Sequence, residues 1–278
     1  MTGEPITVVE VLRRAQGYLA GRGVDTPRLD AELLLANVLD CDRLTLYTGF
    51  DRPLSTTETD TYRTAIGRRG NREPVAYILG HRGFRTITLD VTPDVLVPRP
   101  ETELLVEWVL EVAPHGARVL DWGTGSGAIA VALATERPDL TVTGIDRSAA
   151  ALDVARRNDP QGDVQWLLSD GFAALDGHTF DVIAANPPYI AEAEMSALAP
   201  ELAYEPRDAL VSGPSGLECY RAIASDCAVH LATDGIVVVE IGATQASAVS
   251  ALFGVAGLTD IAVRTDLAGH ERAVGARR

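Results

Sequence analysis

From Arg118 onward, short apolar runs alternate with helical patterns, and this alternation restricts the fold more than any other feature of the chain. The apolar runs are nearly continuous, which is typical of strands that are buried on both faces of a parallel sheet. Strands are predicted at residues 118–122, 141–146, 164–168, 181–185 and 235–241, with two short terminal strands at 259–265 and 272–275. Helices are predicted at residues 104–112, 128–135, 148–158, 215–231 and 244–253. We therefore predict an α/β domain with a mostly parallel seven-stranded sheet.

The first eighty residues carry a different pattern, in which apolar residues recur at helical spacing. Three helices are predicted there, at residues 6–20, 30–39 and 55–69, the third from the N-cap signal Ser55-Thr56-Thr57-Glu58. Alternating apolar residues then predict one strand from Phe84 to Val91, and the domain boundary is placed at its start. We predict a small all-α domain with its linker over residues 1–84, followed by the α/β domain over residues 85–278.

The charge of the chain is distributed unevenly between these two domains. The formal net charge is −15, and all 24 basic residues are Arg. Residues 1–84 contain as many Arg as Asp and Glu, so the whole negative charge falls on the α/β domain. Neutralisation of phosphates supplies most non-specific affinity for nucleic acid. We therefore expect no direct nucleic-acid binding.

The cysteine, histidine and hydropathy patterns are typical of a protein from reduced cytosol. The 3 Cys are widely spaced and the 5 His are scattered, so the sequence predicts neither disulfides nor a metal site. Residues 1–5 contain no basic region followed by an apolar run, and no apolar run approaches the ~20 residues of a membrane helix. We expect a cytoplasmic protein with no membrane contact.

A glycine-rich turn joins the first predicted strand of the sheet to the helix that follows. Glycine lets the backbone approach a ligand closely, and the helix amino end behind the turn favours polar or anionic groups. Asp146 ends the next predicted strand, where an acid commonly accepts hydrogen bonds from ribose hydroxyls. The turn reads Asp121-Trp122-Gly123-Thr124-Gly125-Ser126-Gly127.

The turn departs from the dinucleotide-binding fingerprint because its third glycine, Gly127, comes one residue early. Asp121 precedes the turn, and a carboxylate there favours an ammonium or sulfonium group over a pyrophosphate. The pattern therefore predicts S-adenosylmethionine, with Asp121 near the methionine end and Asp146 on the ribose. Asp170 follows the third predicted strand and is a candidate acceptor for the adenine amine; a solvated loop acid or helix cap is the equal alternative. A purely structural glycine turn is the alternative for the whole segment.

Asn186-Pro187-Pro188-Tyr189 follows a predicted buried strand, at the end of the sheet where open α/β sheets bind ligands. The Asn186 side-chain oxygen accepts one N–H. Pro187 holds Asn186 in an extended conformation, and its own carbonyl accepts a second N–H. Two rigid acceptors suit a planar –NH2 group, either an amide or an exocyclic amine of a base, and Tyr189 offers an aromatic face. A Pro-Pro turn that serves only to end a core strand is the structural alternative.

These segments resemble a known family. The glycine turn with Asp146 resembles the class I S-adenosylmethionine-dependent methyltransferases, and Asn186 to Tyr189 resembles their amino-methylating subset. Three further segments narrow the resemblance to the HemK family, the peptide chain release factor N5-glutamine methyltransferases. They are Glu73-Pro74-Val75-Ala76-Tyr77-Ile78-Leu79-Gly80, Val97-Pro98-Arg99-Pro100-Glu101-Thr102-Glu103 and Glu205-Pro206-Arg207-Asp208-Ala209-Leu210. The resemblance extends from about Glu73 to the end, and it implies a Rossmann-like class I methyltransferase domain preceded by an all-α domain.

The resemblance also implies a reaction, in which a methyl group passes from S-adenosylmethionine to the glutamine amide of the Gly-Gly-Gln motif in class 1 release factors. It implies that Asn186 and the Pro187 carbonyl hold this amide, that Pro188 and Tyr189 complete the substrate site, and that the helical domain docks the release factor. The implied cofactor residues are Asp121, Gly123, Thr124, Gly125, Ser126, Gly127, Asp146, Asp170, Gly171, Phe172 and Asn186.

Two positions depart from the family pattern. Arg85 stands where the family usually has an aromatic residue, and Gly171 stands where it often has Trp. A glycine has no ring to stack on adenine, so Phe172 is the candidate substitute.

Three other functions remain open from the sequence. An adenine-N6 or guanine-N2 methyltransferase acting on DNA or RNA would use the same turn to hold an exocyclic amine after base flipping. A non-catalytic module that binds S-adenosylmethionine would keep the glycine turn without turnover. A nicotinamide oxidoreductase is the most distant of the three.

Overall fold

In the computed structural model, residues 6–278 are described, so the prediction that residues 1–5 carry no secretory signal lies outside the described residues. The chain divides into two compact units. One contains the described residues up to Gly80 together with Pro200–Tyr204, and the other contains His81–Ala199 and Glu205–Arg278.

The first unit is all-helical. Its helices are α1 (Val8–Gly21), α2 (Pro27–Val38), α3 (Arg43–Thr48), α4 (Thr56–Gly70) and α5 (Val75–Leu79). Two capping boxes begin helices: Glu10 accepts from the Thr7 N–H at 3.0 Å, and Glu58 accepts from the Ser55 N–H at 2.8 Å. The three long helices lie where the sequence predicted them. Helices α3 and α5 were missed because they are too short to show a period.

The short segment Pro200–Tyr204 is attached to this helical unit by ion pairs. Arg69 is buried between Asp30, at 2.6 Å, and Glu201, at 2.9 Å. Arg72 binds the other carboxylate oxygen of Glu201 at 2.8 Å. Glu201 lies far along the sequence from both arginines, so no local pattern in the first eighty residues indicated this contact.

The second unit begins with a two-stranded antiparallel hairpin, β1 (His81–Phe84) and β2 (Ile87–Asp90). The prediction of a single strand from Phe84 to Val91 was therefore wrong in extent, because the alternating pattern covers only the second strand. Arg85 lies in the turn with a positive φ of 49°. Its guanidinium binds both carboxylate oxygens of Glu136, at 2.5 and 2.8 Å. The residue that departs from the family pattern thus forms a bidentate ion pair here.

A seven-stranded sheet follows, with the strand order β5-β4-β3-β6-β7-β9-β8. The pairs among β3 to β7 are parallel, and β9 is antiparallel to both β7 and β8, so the predicted mostly parallel sheet is confirmed. The strands are β3 (Arg118–Trp122), β4 (Thr141–Asp146), β5 (Val164–Leu168), β6 (Phe180–Ala185), β7 (Leu231–Glu240), β8 (Thr259–Thr265) and β9 (Glu271–Arg277).

Helices flank this sheet, and its two faces bury separate apolar clusters. Val119 and Val182 belong to one cluster, whereas their neighbours Leu120 and Ile183 belong to the other. This alternation on consecutive positions explains why the strands are almost continuously apolar. The helices are α6 (Glu103–Val112), α7 (Ala128–Glu136), α8 (Ala149–Arg157), α9 (Arg207–Leu210), α10 (Glu218–His230) and α11 (Ala246–Val255), with 3-10 turns at Pro100–Thr102 and Glu192–Ala197. Among residues 6–278, no helix has both the length and the apolar character needed to cross a bilayer.

The strand order indicates which edge of the sheet can bind a ligand. The chain winds outward from β3 to β4 and β5, and then returns to the other side of β3 with β6 and β7. The carboxyl ends of β3, β4 and β6 therefore meet at a point where the winding direction reverses, which is where open α/β sheets bind ligands.

Candidate active site

A cavity of about 1250 Å³ lies in the second unit at this reversal point. It is larger than the roughly 300–1,000 Å³ of most small-molecule sites, so it has room for a cofactor and part of a second ligand. Four predicted residues lie outside its lining, namely Asp121, Gly127, Pro187 and Tyr189. The predicted residues that line it are Gly123, Thr124, Gly125, Ser126, Asp146, Asp170, Gly171, Phe172, Asn186 and Pro188.

The glycine turn joins β3 to α7 with three residues in the left-handed region. The φ angles of Gly123, Gly125 and Gly127 are 73°, 56° and 83°. A Cβ at Gly127 would lie 3.0 Å from the Trp166 ring, whereas a Cβ at Gly123 or Gly125 would have no atom within 4 Å. Gly127 is therefore required by packing inside the protein. The backbone at Gly123 and Gly125 is open, so a ligand in the cavity can approach it closely.

Asp121 lies beneath this turn and is fully buried. Its Oδ2 accepts from the Thr124 hydroxyl at 2.5 Å and from the Ala130 N–H at 3.2 Å. Its Oδ1 has no hydrogen-bond partner among the described residues. Burial raises the pKa of Asp121 to about 7, although the two hydrogen bonds oppose this effect. One carboxylate oxygen thus fastens the turn, and the other remains an unsatisfied acceptor next to it.

Asp146 ends β4 with its carboxylate at the cavity. Its Oδ2 accepts from the Gly125 N–H at 2.9 Å, and its Oδ1 accepts from the Ser148 N–H at 2.8 Å. Each carboxylate oxygen has two lone pairs, so each can still accept a hydrogen bond from a ligand. These backbone contacts hold the carboxylate in place at the cavity.

The turn after β5 brings Asp170, Gly171 and Phe172 to the cavity. The Ser169 hydroxyl holds the turn by donating to the Gly171 carbonyl at 2.7 Å, and Gly171 has a positive φ of 57°. The Phe172 ring stacks on His230, with ring centroids 4.8 Å apart, and lies 6.4 Å from the Trp122 ring. His230 was not predicted as a site residue, because a single histidine in a distant helix gives no local signal.

Asn186 directly follows β6 and lines the cavity, and its side-chain nitrogen is hydrogen-bonded within the protein. Its Nδ2 donates to the Thr102 hydroxyl at 3.0 Å, and that hydroxyl donates to Glu240 Oε2 at 2.6 Å. The carboxamide oxygen of Asn186 is therefore the group left to accept from a ligand. Thr102 lies in one of the segments that carry the family resemblance, but no local pattern predicted a role for it or for Glu240.

Pro187 is buried, and Tyr189 is half-buried. The Tyr189 ring packs against the apolar cluster on one face of the sheet, and its carbonyl accepts from Gln245 Nε2 at 2.9 Å. Burial raises the pKa of the Tyr189 hydroxyl. These contacts hold the rigid turn that carries Asn186 and Pro188 at the cavity.

Comparisons with known proteins identify the family of this chain. Residues 10–80 match the family model for the PrmC N-terminal domain, and residues 100–215 match the methyltransferase small domain. The chain is 43% identical to the release factor glutamine methyltransferase of Geobacter sulfurreducens, over 98% of this chain and 96% of that protein. It is 44% identical to the enzyme of that name from Burkholderia pseudomallei, again over 98% of this chain and 96% of that protein.

The chain belongs to the release factor glutamine methyltransferase family. The resemblance to the HemK family is thereby confirmed, and the match to the helical region confirms that the relationship includes the part of the chain that carried no motif of its own.

Solved structures of more distant methyltransferases share the fold. A methyltransferase from Pyrococcus furiosus superposes with a TM-score of 0.51 at 17% identity, covering 68% of this chain and 87% of that one. A 16S rRNA N2 methyltransferase from T. thermophilus gives 0.52 at 20% identity, covering 71% and 49%. At these identities the likeness concerns the fold alone, and it confirms the predicted Rossmann-like fold.

Proposed function

We propose that this protein transfers a methyl group from S-adenosylmethionine to the glutamine side-chain amide of the Gly-Gly-Gln motif in class 1 peptide chain release factors. The observation that carries the proposal is the orientation of Asn186, whose Nδ2 is bound to Thr102 and whose Oδ1 is left to accept an N–H at the cavity. Relatives that match the chain over nearly their whole length are named for this reaction.

The residues at the cavity fit S-adenosylmethionine. Gly123 and Gly125 leave open backbone, and Asp146 has free lone pairs for the ribose hydroxyls. The unpartnered Oδ1 of Asp121 adds negative character below the turn, which suits a cationic ligand better than a pyrophosphate. Asp170 is exposed after β5, where it would accept from the adenine amine. When bound, the cofactor supplies an electrophilic methyl group on a sulfonium.

The chemical difficulty is the amide nitrogen, which is a poor nucleophile because its lone pair is delocalised into the carbonyl. Asn186 Oδ1 and the Pro187 carbonyl would each accept one of its N–H groups, which orients the nitrogen. As positive charge builds on that nitrogen, both hydrogen bonds strengthen, so the acceptors stabilise the transition state more than the ground state. The rigid turn also supplies positioning, which is the other large contribution.

No strong base is required for this reaction. A methylated amide that still carries its extra proton is strongly acidic, so the proton passes to water once the new C–N bond has formed. The titratable groups nearest Asn186 therefore have other roles, and Glu240 in particular reaches it only through Thr102.

The helical unit is the proposed docking surface for the release factor. Leu44, Tyr47 and Phe50 lie on one short stretch of it and are 70%, 48% and 55% exposed. Tyr47 is also anchored, because its hydroxyl donates to the buried Glu32 at 2.6 Å. Exposed aromatic and aliphatic side chains of this kind are typical of a protein-binding surface.

Mass spectrometry of a purified class 1 release factor, incubated with this protein and S-adenosylmethionine, tests the proposal. One added methyl on the Gly-Gly-Gln glutamine, absent with the Asn186→Ala variant, is the expected result. An unmodified release factor alongside methylated adenine or guanine in DNA or RNA would instead support the nucleic-acid alternative. Cofactor binding without transfer to any of these substrates would overturn the proposal in favour of a binding module.

A further inference from the structure

Three side chains from separate segments form a hydrogen-bonded chain at the wall of the cavity. Asn186 follows β6, Thr102 ends the 3-10 turn before α6, and Glu240 ends β7. Asn186 Nδ2 donates to Thr102 Oγ1 at 3.0 Å, and Thr102 Oγ1 donates to Glu240 Oε2 at 2.6 Å. Thr102 and Glu240 are only 4% and 3% exposed, so water does not readily replace either partner.

Glu240 determines which group donates and which accepts in each of these hydrogen bonds. An ionised carboxylate only accepts hydrogen bonds, so Thr102 must give its single hydroxyl proton to Glu240. The Thr102 oxygen then has only lone pairs for Asn186, and only the NH2 group of Asn186 can donate to them. We propose that Thr102 and Glu240 are positioning residues that hold the Asn186 carboxamide with its oxygen toward the substrate, an inference that rests on the proposed function of Asn186.

Hydrogen bonds are needed to fix the orientation of the Asn186 carboxamide because of its shape. The oxygen and the NH2 group of an asparagine are nearly equal in size, so packing alone distinguishes them poorly. A flipped Asn186 would set its NH2 group against the NH2 group of the substrate, donor against donor. The hydrogen-bonded chain excludes this arrangement because a flipped Asn186 would also set its oxygen against the lone pairs of Thr102.

Protonation of Glu240 removes the constraint. A protonated carboxyl can donate to Thr102, which frees the Thr102 proton for Asn186 Oδ1 and permits the flip. Burial raises the pKa of Glu240 to about 7, and the nearby Glu101 raises it as well, against the opposing effect of Thr102. Methyl transfer should therefore decline as the pH falls through about 7.

Charged and titratable groups surround Glu240 from several elements. Arg272 on β9 and Arg99 before the 3-10 turn both lower its pKa. Tyr189 and Tyr220 lie close enough to sense its charge, and the Tyr220 hydroxyl donates to the Glu240 carbonyl at 2.8 Å. The hydroxyls of both tyrosines have raised pKa values, so they stay neutral while Glu240 titrates.

The side-chain amide resonance of Asn186 tests the inference directly. The full chain is labelled with 15N-asparagine, and the resonance is assigned by its loss in the Asn186→Ala variant. In the wild type and in Thr102→Ser, we expect slowly exchanging amide protons whose shifts titrate with a midpoint near pH 7. In Thr102→Val, protection and titration should both be lost, and in Glu240→Gln the titration should disappear. The buried Thr143 provides a matched control, since Thr143→Val should behave as the wild type.

An Asn186 resonance that is unchanged in Thr102→Val, or that still titrates in Glu240→Gln, would overturn the inference. Glu240→Gln retains the size of the side chain, so it decides the question even if Thr102→Val folds poorly.

Kinetics on a release factor give an independent readout. Thr102→Val should lower kcat roughly 10–100-fold, the scale of a misplaced catalytic group, with little change in KM. Thr102→Ser should keep kcat near that of the wild type. Glu240→Gln should abolish the decline in kcat at acidic pH. If the wild type transfers no methyl group to a release factor, the proposed function fails, but the amide resonance still decides whether Thr102 and Glu240 orient Asn186.

Discussion

The hydroxyl of Thr124 donates a 2.5 Å hydrogen bond to Oδ2 of Asp121, so the glycine turn is fastened to the strand that precedes it. This contact leaves the other carboxylate oxygen buried without a partner among residues 6–278. A half-satisfied carboxylate beneath the glycine turn costs stability when it is ionised. That cost, and the contacts of the other site residues, lead to four predictions.

The first prediction concerns the pH dependence of stability. The pKa of Asp121 is raised from 3.8 to about 7, so between these values the folded state binds more protons than the unfolded state. Stability therefore falls as the pH rises through this range, by on the order of 1 kcal/mol per unit, and stays low above it. Asp121→Asn should flatten the slope of Tm against pH measured without cofactor. The pKa of Glu240 is raised as well, so its titration leaves a residual slope in the Asp121→Asn variant.

The exposed Asp60 supplies the control for this measurement, because Asp60→Asn removes a carboxylate that is not buried. Its curve of Tm against pH should run parallel to that of the wild type. A curve of the same slope for Asp121→Asn would show that the buried carboxylate does not cause the dependence.

The second prediction is that Asn186→Ala lowers the methylation rate by roughly 10²–10³, the cost of losing one preorganised polar contact to the reacting group. The affinity for the release factor should change much less, since the proposed docking residues belong to the helical unit. Single-turnover rates at saturating cofactor measure the effect. At saturating release factor, Asn37→Ala, at an exposed position of α2, should retain the full rate. A rate within a few-fold of the wild type for Asn186→Ala would contradict the proposed role.

The third prediction concerns the cofactor. Asp146→Ala removes the acceptor for the Gly125 and Ser148 N–H groups as well as the two acceptors offered to the ribose. A hydrogen bond to a charged group is worth about 1.5–3 kcal/mol, so the Kd for S-adenosylmethionine should rise at least roughly 10-fold. Calorimetric titration measures it. The exposed Asp153, on the neighbouring helix α8, is the control, and Asp153→Ala should bind normally. Equal affinities for the two variants would exclude a ribose contact by Asp146.

The fourth prediction separates docking from chemistry. Phe50→Ser removes an exposed ring from the helical unit, so it should raise KM for the release factor several-fold or more while kcat and the cofactor Kd stay unchanged. Leu267→Ser is the control, because Leu267 is a fully exposed apolar residue in the turn between β8 and β9. If both variants have the KM of the wild type, the release factor does not bind through this patch.

The sequence by itself determined the sheet and the positions of the glycine turn and of the turn that carries Asn186. Val119 and Leu120 face opposite sides of the sheet, yet both are apolar. A strand that is buried on both faces needs apolar residues at consecutive positions, and the sequence shows them directly. Gly123 and Gly125 have the positive φ angles that a glycine pattern predicts. Asn186 lies at the carboxyl end of a strand, which its place after an apolar run already indicated.

Only the tertiary structure decided which side chains act on these residues. Thr102 and Glu240 meet Asn186 from segments far apart in sequence, and Glu201 joins the helical unit through Arg69 in the same way. Local periodicity records burial and backbone conformation, because both depend on near neighbours. A hydrogen bond between distant segments depends on how the folded chain brings those segments together, so no single stretch of sequence specifies it.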